Sequence, residues 1–358
     1  MPKTGTATLP LHYGRAPKWL FDRMTALSRE IIYAIVSEFG QVVFLERLSD
    51  PFWFQALGCV LGFDWHSSGL TTTVTGALKE GSRGMERELG IFIAGGKGAT
   101  SRKTPDHIRM YSDRYLINPH PLVYASRMSA KVDNTAVQDG YQLYHHVFFF
   151  TDRGDWSVIQ QGMNAHKRTA RRYHWLGNTV TNFVQEPHTA VCCDKRHRAL
   201  NMVALESKDA RKVCTELTHE KPEKIVREIK KVQELVLTDR HLVTEADINP
   251  KKLYRTLTKT YENYPENFER LLGINGVGPK TIRALSLVSE LIYGITPSYR
   301  DPARFSFAHG GKDGTPFPVD RKTYDRTIDV LKKAIHASKI GNREKMDAVR
   351  RLSKYFER

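Results

Sequence analysis

The chain has 358 residues, 40 % of them apolar and 26 % charged, a globular composition with length enough for two domains. Its 55 Lys and Arg against 39 Asp and Glu give a formal net charge of +16, spread along the chain: residues 1–200 hold 24 basic and 17 acidic groups, the remainder 31 and 22. A basic excess in both halves is expected of a protein with a polyanion lying across both.

No window approaches the roughly 18 consecutive apolar residues of a membrane-spanning helix, and the opening MPKTGTATLPLHYGRAPKWL has no apolar h-region with a cleavage site. The four cysteines (Cys59, Cys192, Cys193, Cys214) form no CxxC pair, so neither a disulfide framework nor a zinc site is expected. These features predict a reduced, cytoplasmic protein with no metal, no cofactor and no membrane partner. A polyanion partner of this kind would hold it at the nucleoid.

In chain order, residues 19–40 repeat Leu20, Met24, Leu27, Ile31 and Ile35 at spacings of three and four and stop at Gly40, which predicts an amphipathic helix. PFWFQALGCVLGFD (51–64) predicts a buried helix or a turn-rich core. The stretch 94–101 carries Gly95, Gly96, Lys97 and Gly98 but lacks the order of a phosphate loop, and it leads into a helix opened by Thr104-Pro105-Asp106. Residues 141–150 and 155–161 predict a β-hairpin turning at Gly154, with His145 and His146 on opposite faces of its first strand.

The segment HKRTARRYHW (166–175) then sets Lys167, Arg168, Arg171 and Arg172 beside Tyr173, His174 and Trp175. Cations and stacking surfaces in alternation are the mixture that holds nucleic acid. The alternative is a solvated helix face whose aromatics pack inward. Beyond residue 200 the pattern is helical: 199–218, 221–237, 250–261, 265–273, 279–293 and 320–355. The sequence therefore predicts an α+β fold, with a mixed domain over 1–195 and an all-α domain over 196–358.

Residues 265–287, PENFERLLGINGVGPKTIRALSL, are the most informative. A short helix ends at Leu272-Gly273, the turn Asn275-Gly276-Val277-Gly278 follows, and Pro279 opens the next helix where a missing N–H costs nothing. Two glycines two apart allow a tight turn and leave amides pointing outward at a helix N-terminus, an anion site. Ile274 and Val277 anchor the turn between its helices. The pattern resembles the helix-hairpin-helix motif of DNA-binding proteins, which implies phosphate contacts by Asn275, Gly276, Val277, Gly278 and Thr281.

Within that superfamily the chain is similar to DNA glycosylases of the endonuclease III type, which carry a lysine at the position of Lys280 and an aspartate in a Val-Asp step matched by Val319-Asp320. The resemblance implies that Lys280 attacks C1′ of a damaged nucleotide while Asp320 supports the charge that develops at the sugar. An amine nucleophile beside a carboxylate suits that chemistry, since it gives a Schiff base through which the strand is cleaved. The implied function is base excision from double-stranded, lesion-containing DNA with associated lyase activity. The long loop between the two residues offers Phe305, Phe307, His309 and Phe317 as walls of a base pocket. Over its full length the chain also resembles an archaeal and bacterial family to which no function is assigned.

Two other readings stand beside this one. Asp194 with Glu206-Ser207-Lys208 resembles the D…ExK arrangement of metal-dependent nucleases, in which carboxylates hold Mg²⁺. A protein without catalysis could also use the hairpin as a backbone clamp.

Overall fold

The computed structural model describes residues 16–63, 68–192, 198–234, 250–303, 321–338 and 341–356. The fold is α+β.

Four helices open it: α1 (Lys18–Phe39), α2 (Gln41–Ser49), α3 (Pro51–Val60) and α4 (Gly69–Ser82), followed by the single turn α5 (Glu86–Leu89). Strand β1 (Ile91–Lys97) ends in the glycine-rich stretch. The turn α6 (Ala99–Arg102), α7 (Thr104–Tyr115) and α8 (Pro119–Lys131) follow. A π-helical turn over Val132–Ala136 ends α8 and leads into β2 (Val137–Gln138).

Strands β3 (Gln142–Thr151), β4 (Trp156–Asn164), β5 (Thr169–Leu176) and β6 (Ala190–Cys192) complete a five-stranded antiparallel sheet of order β1-β3-β4-β5-β6, while β2 pairs with β7 (Leu200–Asn201). The remainder is helical: α9 (Lys208–Leu217), α10 (Pro222–Glu234), α11 (Pro250–Asn263), α12 (Phe268–Gly273), α13 (Pro279–Leu291), α14 (Arg321–Ala337) and α15 (Asn342–Phe356). None of the described helices is long and apolar enough to cross a membrane.

Strand alternation sorts the sheet's side chains into two cores. Ile91, Ile93, Val147, Phe149 and Ile159 pack with α1–α4 and with Leu331, Ile335 and Leu352 of α14 and α15. Phe92, Phe148, Phe150, Val158 and Trp175 pack on the other side with α7, α8 and the helices from α9 to α13. Both cores thus join residues from before and after position 195. That interleaving puts α8, from the first half of the chain, against the turn between α12 and α13.

The 166–175 segment departs from both of its expected readings. Most of it is β5, the strand beside β4, and residues 170–176 are all buried. Both faces of the sheet are covered, so neither side of this strand meets solvent.

Candidate nucleic-acid interface

The turn between α12 and α13 has the expected form. Asn267 caps α12 by accepting the amide of Arg270 at 2.9 Å, and Pro279 occupies the first turn of α13. Val277 is buried at 1 % exposure, and Ile274 packs at the edge of the same core, so the two anchor the turn from within. Gly276 sits at φ +101°, a conformation open to glycine and strained for other residues. Gly278 differs: its backbone is extended (φ −140°, ψ −174°), and an added Cβ would meet nothing within 4 Å.

Neither Gly276 nor Gly278 donates its amide to any acceptor among the described residues. Carbonyls of the turn are instead held from inside. Lys131, the last residue of α8, donates Nζ to the carbonyl of Val277. Gln138 Nε2 donates to the carbonyl of Pro279 at 2.9 Å, and Arg283 Nε donates to Gln138 Oε1 at 2.7 Å. Inward carbonyls and outward amides at a helix N-terminus leave a positive partial charge at the surface. Burial lowers the Lys131 amine from its ordinary range.

Beside the turn lies a cavity of about 440 Å³, walled by Tyr124 and Met128 of α8, Lys259 of α11, Arg270 of α12, and Ile274 and Asn275. The Tyr124 hydroxyl donates to the carboxylate of Glu269, tying α8 to α12. Burial first, and then that hydrogen bond, push the Tyr124 hydroxyl up to about 12. Lys259 and Arg270 are exposed, and among the described residues neither makes an ion pair.

Lys280 is exposed in the first turn of α13, whereas Thr281 is buried and turned away from the surface. Thr281 therefore cannot contact DNA through its hydroxyl as expected. Asp320 and the residues expected to wall a base pocket (Phe305, Phe307, His309 and Phe317) lie outside the described residues. So does Asp194. Glu206 lies in a 3₁₀ turn leading into α9 and pairs with Arg300 at 3.2 Å, so the ExK residues are not on a strand.

The expectation that Arg171 and Arg172 face a ligand is corrected. Both are 0 % exposed. Arg171 bonds Asp139 at 2.7 Å and Asp301 at 2.8 Å, and Tyr173 also donates to Asp139. On the opposite face Arg172 contacts His174, Gln55 and Thr71 and lies over the ring of Phe54. A buried guanidinium is tolerable only with such partners, and all but His174 come from segments far away in sequence. Lys167 and Arg168 do reach solvent, at the turn between β4 and β5.

The α8 residues were missed. His120, Tyr124, Arg127 and Lys131 recur at intervals of four, three and four, a single helical face, and that spacing was the signal that could have found them.

A search against protein-family models matches residues 5–319 to a family described as protein of unknown function (DUF763). The chain belongs to that family. No curated protein and no solved structure matches it. The match covers both halves as one unit and overturns the assignment of the C-terminal part to the endonuclease III-like glycosylases. What remains of residues 265–287 is a local helix–turn–helix geometry with outward amides, and no ancestry follows from it.

Proposed function

We propose that the protein binds DNA by gripping its phosphate backbone at the 274–280 turn, without reading base sequence. The observation that carries this is Gly278. The chain's own conformation does not demand glycine there, the space around it is open, and its amide has no acceptor among the described residues. Gly278 is the N-cap of α13, which any small residue could fill, and a bare backbone there suits a ligand that must come close to the chain. Lys280 on the exposed side, Lys259 and Arg270 beside the cavity and the +16 charge suit a polyanion and no neutral ligand. A cytoplasmic, nucleoid-associated location follows from this reading.

The test is titration of the protein with a labelled random-sequence duplex over a range of salt concentrations. Affinity should fall linearly with salt on logarithmic axes, and Lys280→Gln should reduce the slope by about 1. Absence of binding at low salt would remove the proposal. Because Lys280 brings an amine to the same surface, base excision with strand cleavage is tested in the same preparation. Borohydride trapping on lesion-bearing duplexes yields a covalent adduct through Lys280 if excision occurs, and no adduct leaves a clamp without that chemistry.

A further inference from the structure

The cavity beside the turn does not end at Tyr124. The same side chain walls a second hollow of about 260 Å³, formed with Arg109 of α7 and His120, Val123 and Arg127 of α8. The two hollows share Tyr124 as a wall, and together they form an interrupted channel along α8 between the 274–280 turn and Arg109. The four α8 residues on that face are His120, Tyr124, Arg127 and Lys131, and the eleven helical steps from first to last span about 16 Å.

The chemistry of the channel alternates. Exposed cations stand at both ends and along its rim: Arg109 and Arg127 at one end, Lys259 and Arg270 at the other. Between them Val123, Tyr124, Met128 and Ile274 supply apolar and aromatic surface, with Asn263, Asn275 and the Glu269 carboxylate that Tyr124 holds also on the wall. The Tyr124 ring is held in place, edge-on to Phe183 at 5.7 Å between centroids and bonded through its hydroxyl to Glu269. Arg109 pairs with Asp106 at 3.0 Å, whereas Arg127, Lys259 and Arg270 have no ion-pair partner among the described residues.

We propose that this channel holds an unpaired strand of nucleic acid, which leaves the 274–280 turn and follows α8 past Tyr124 to Arg109. A duplex presents phosphates outward and keeps its bases stacked inside, so it could use the cations but not the apolar wall. An unpaired strand uses both, its phosphates on the arginines and lysines and its bases on Tyr124 and the aliphatic surface. The length accommodates about five nucleotides at the ~3.4 Å rise of a duplex strand, and fewer if the strand is stretched. The inference rests on the phosphate grip proposed for the turn and adds the form of nucleic acid that the adjoining surface selects. It also gives α7 and α8 a part in binding.

The experiment compares a blunt duplex with the same duplex carrying a ten-nucleotide single-stranded tail, made once of DNA and once of RNA. The intact protein should bind a tailed duplex at least tenfold more tightly than the blunt one, and the two tails decide which nucleic acid the channel prefers. Arg127→Gln should abolish most of the gain from the tail and weaken the blunt duplex by a much smaller factor. A tail carrying 5-iodouracil should photocrosslink to the peptide that contains Tyr124. A tail that adds nothing, an Arg127→Gln variant that weakens both duplexes by the same factor, or crosslinks mapping only elsewhere would overturn the channel while leaving the turn as a clamp. Failure of every probe to bind would overturn both.

Discussion

The ammonium group of Lys131, at the end of α8, donates a hydrogen bond to the carbonyl of Val277, 146 positions later in the turn between α12 and α13. This contact holds the carbonyl side of the turn from within, while the amides of its two glycines have no acceptor among the described residues. The turn's geometry therefore depends on a residue from the other half of the chain.

Lys131→Met keeps the aliphatic stem and removes the donor, leaving the Val277 carbonyl without its charged partner. Hydrogen bonds to charged groups are worth about 1.5–3 kcal/mol, and burial of the amine offsets part of that. The expected loss of stability is about 1–2 kcal/mol. Hydrogen exchange should localise the loosening to the bonded amides of the turn and of the start of α13, those of Ile274, Val277 and Ile282. Uniform faster exchange across the sheet would contradict this account.

Gly276→Ala places a Cβ at φ +101° without a clash, since its nearest neighbour would be Thr256 Oγ1 at 3.6 Å. The cost is conformational, about 1–3 kcal/mol, and should appear as a lowered midpoint in chemical denaturation. An unchanged midpoint would show that the turn relaxes.

Arg171→Met should cost about 3–5 kcal/mol, because Asp139 and Asp301 would remain buried without their common cation. Lys167→Gln, four residues earlier but exposed, should change stability by less than about 0.5 kcal/mol. A well-folded Arg171→Met variant whose defect was in DNA affinity would reverse the assignment of this arginine to the core.

That contrast shows where the sequence was legible. The turn at 274–280 could be read because its signals are local: Asn267 as a cap, the two glycines, Pro279 at the helix start and the apolar anchors Ile274 and Val277. The hairpin of β3 and β4 was legible for the same reason. Arg171 and Arg172 were not, because the residues that neutralise and enclose them (Asp139, Asp301, Gln55 and Thr71) come from other elements. A run of cations and aromatics looks alike on a binding surface and on a strand enclosed by two layers of helices. The channel along α8 was half legible, since the helical face is local but its opposite wall is supplied by α11 and α12.

Protonation should report on the same core. Burial holds the ring of His145 down to about 3 and that of His146 down to about 4, against an ordinary 6.5. Their contribution is fully present above about pH 7 and declines as pH falls through 6.5, because the unfolded chain takes up protons that the folded one refuses. Between pH 7 and pH 5 each should remove about 2 kcal/mol from the unfolding free energy. Asp133, whose carboxyl is raised by burial, works in the opposite direction. The clean comparison is therefore His146→Gln, which should lose about 2 kcal/mol less than the parent protein over that interval in denaturant titrations at the two pH values. Equal losses would mean that His146 is reached by protons in the folded state.

The most direct measurement pairs stability with DNA affinity for Gly278→Val. The site is extended and open, so the folded chain should accept valine at the cost of a lost glycine N-cap, about 0.5–2 kcal/mol. If DNA phosphates approach the turn amides, the same side chain stands in their way. The account predicts a cooperative transition with a modestly lowered midpoint together with at least a tenfold loss of duplex affinity at low salt. A variant that folds normally and binds DNA as tightly as the parent would contradict it.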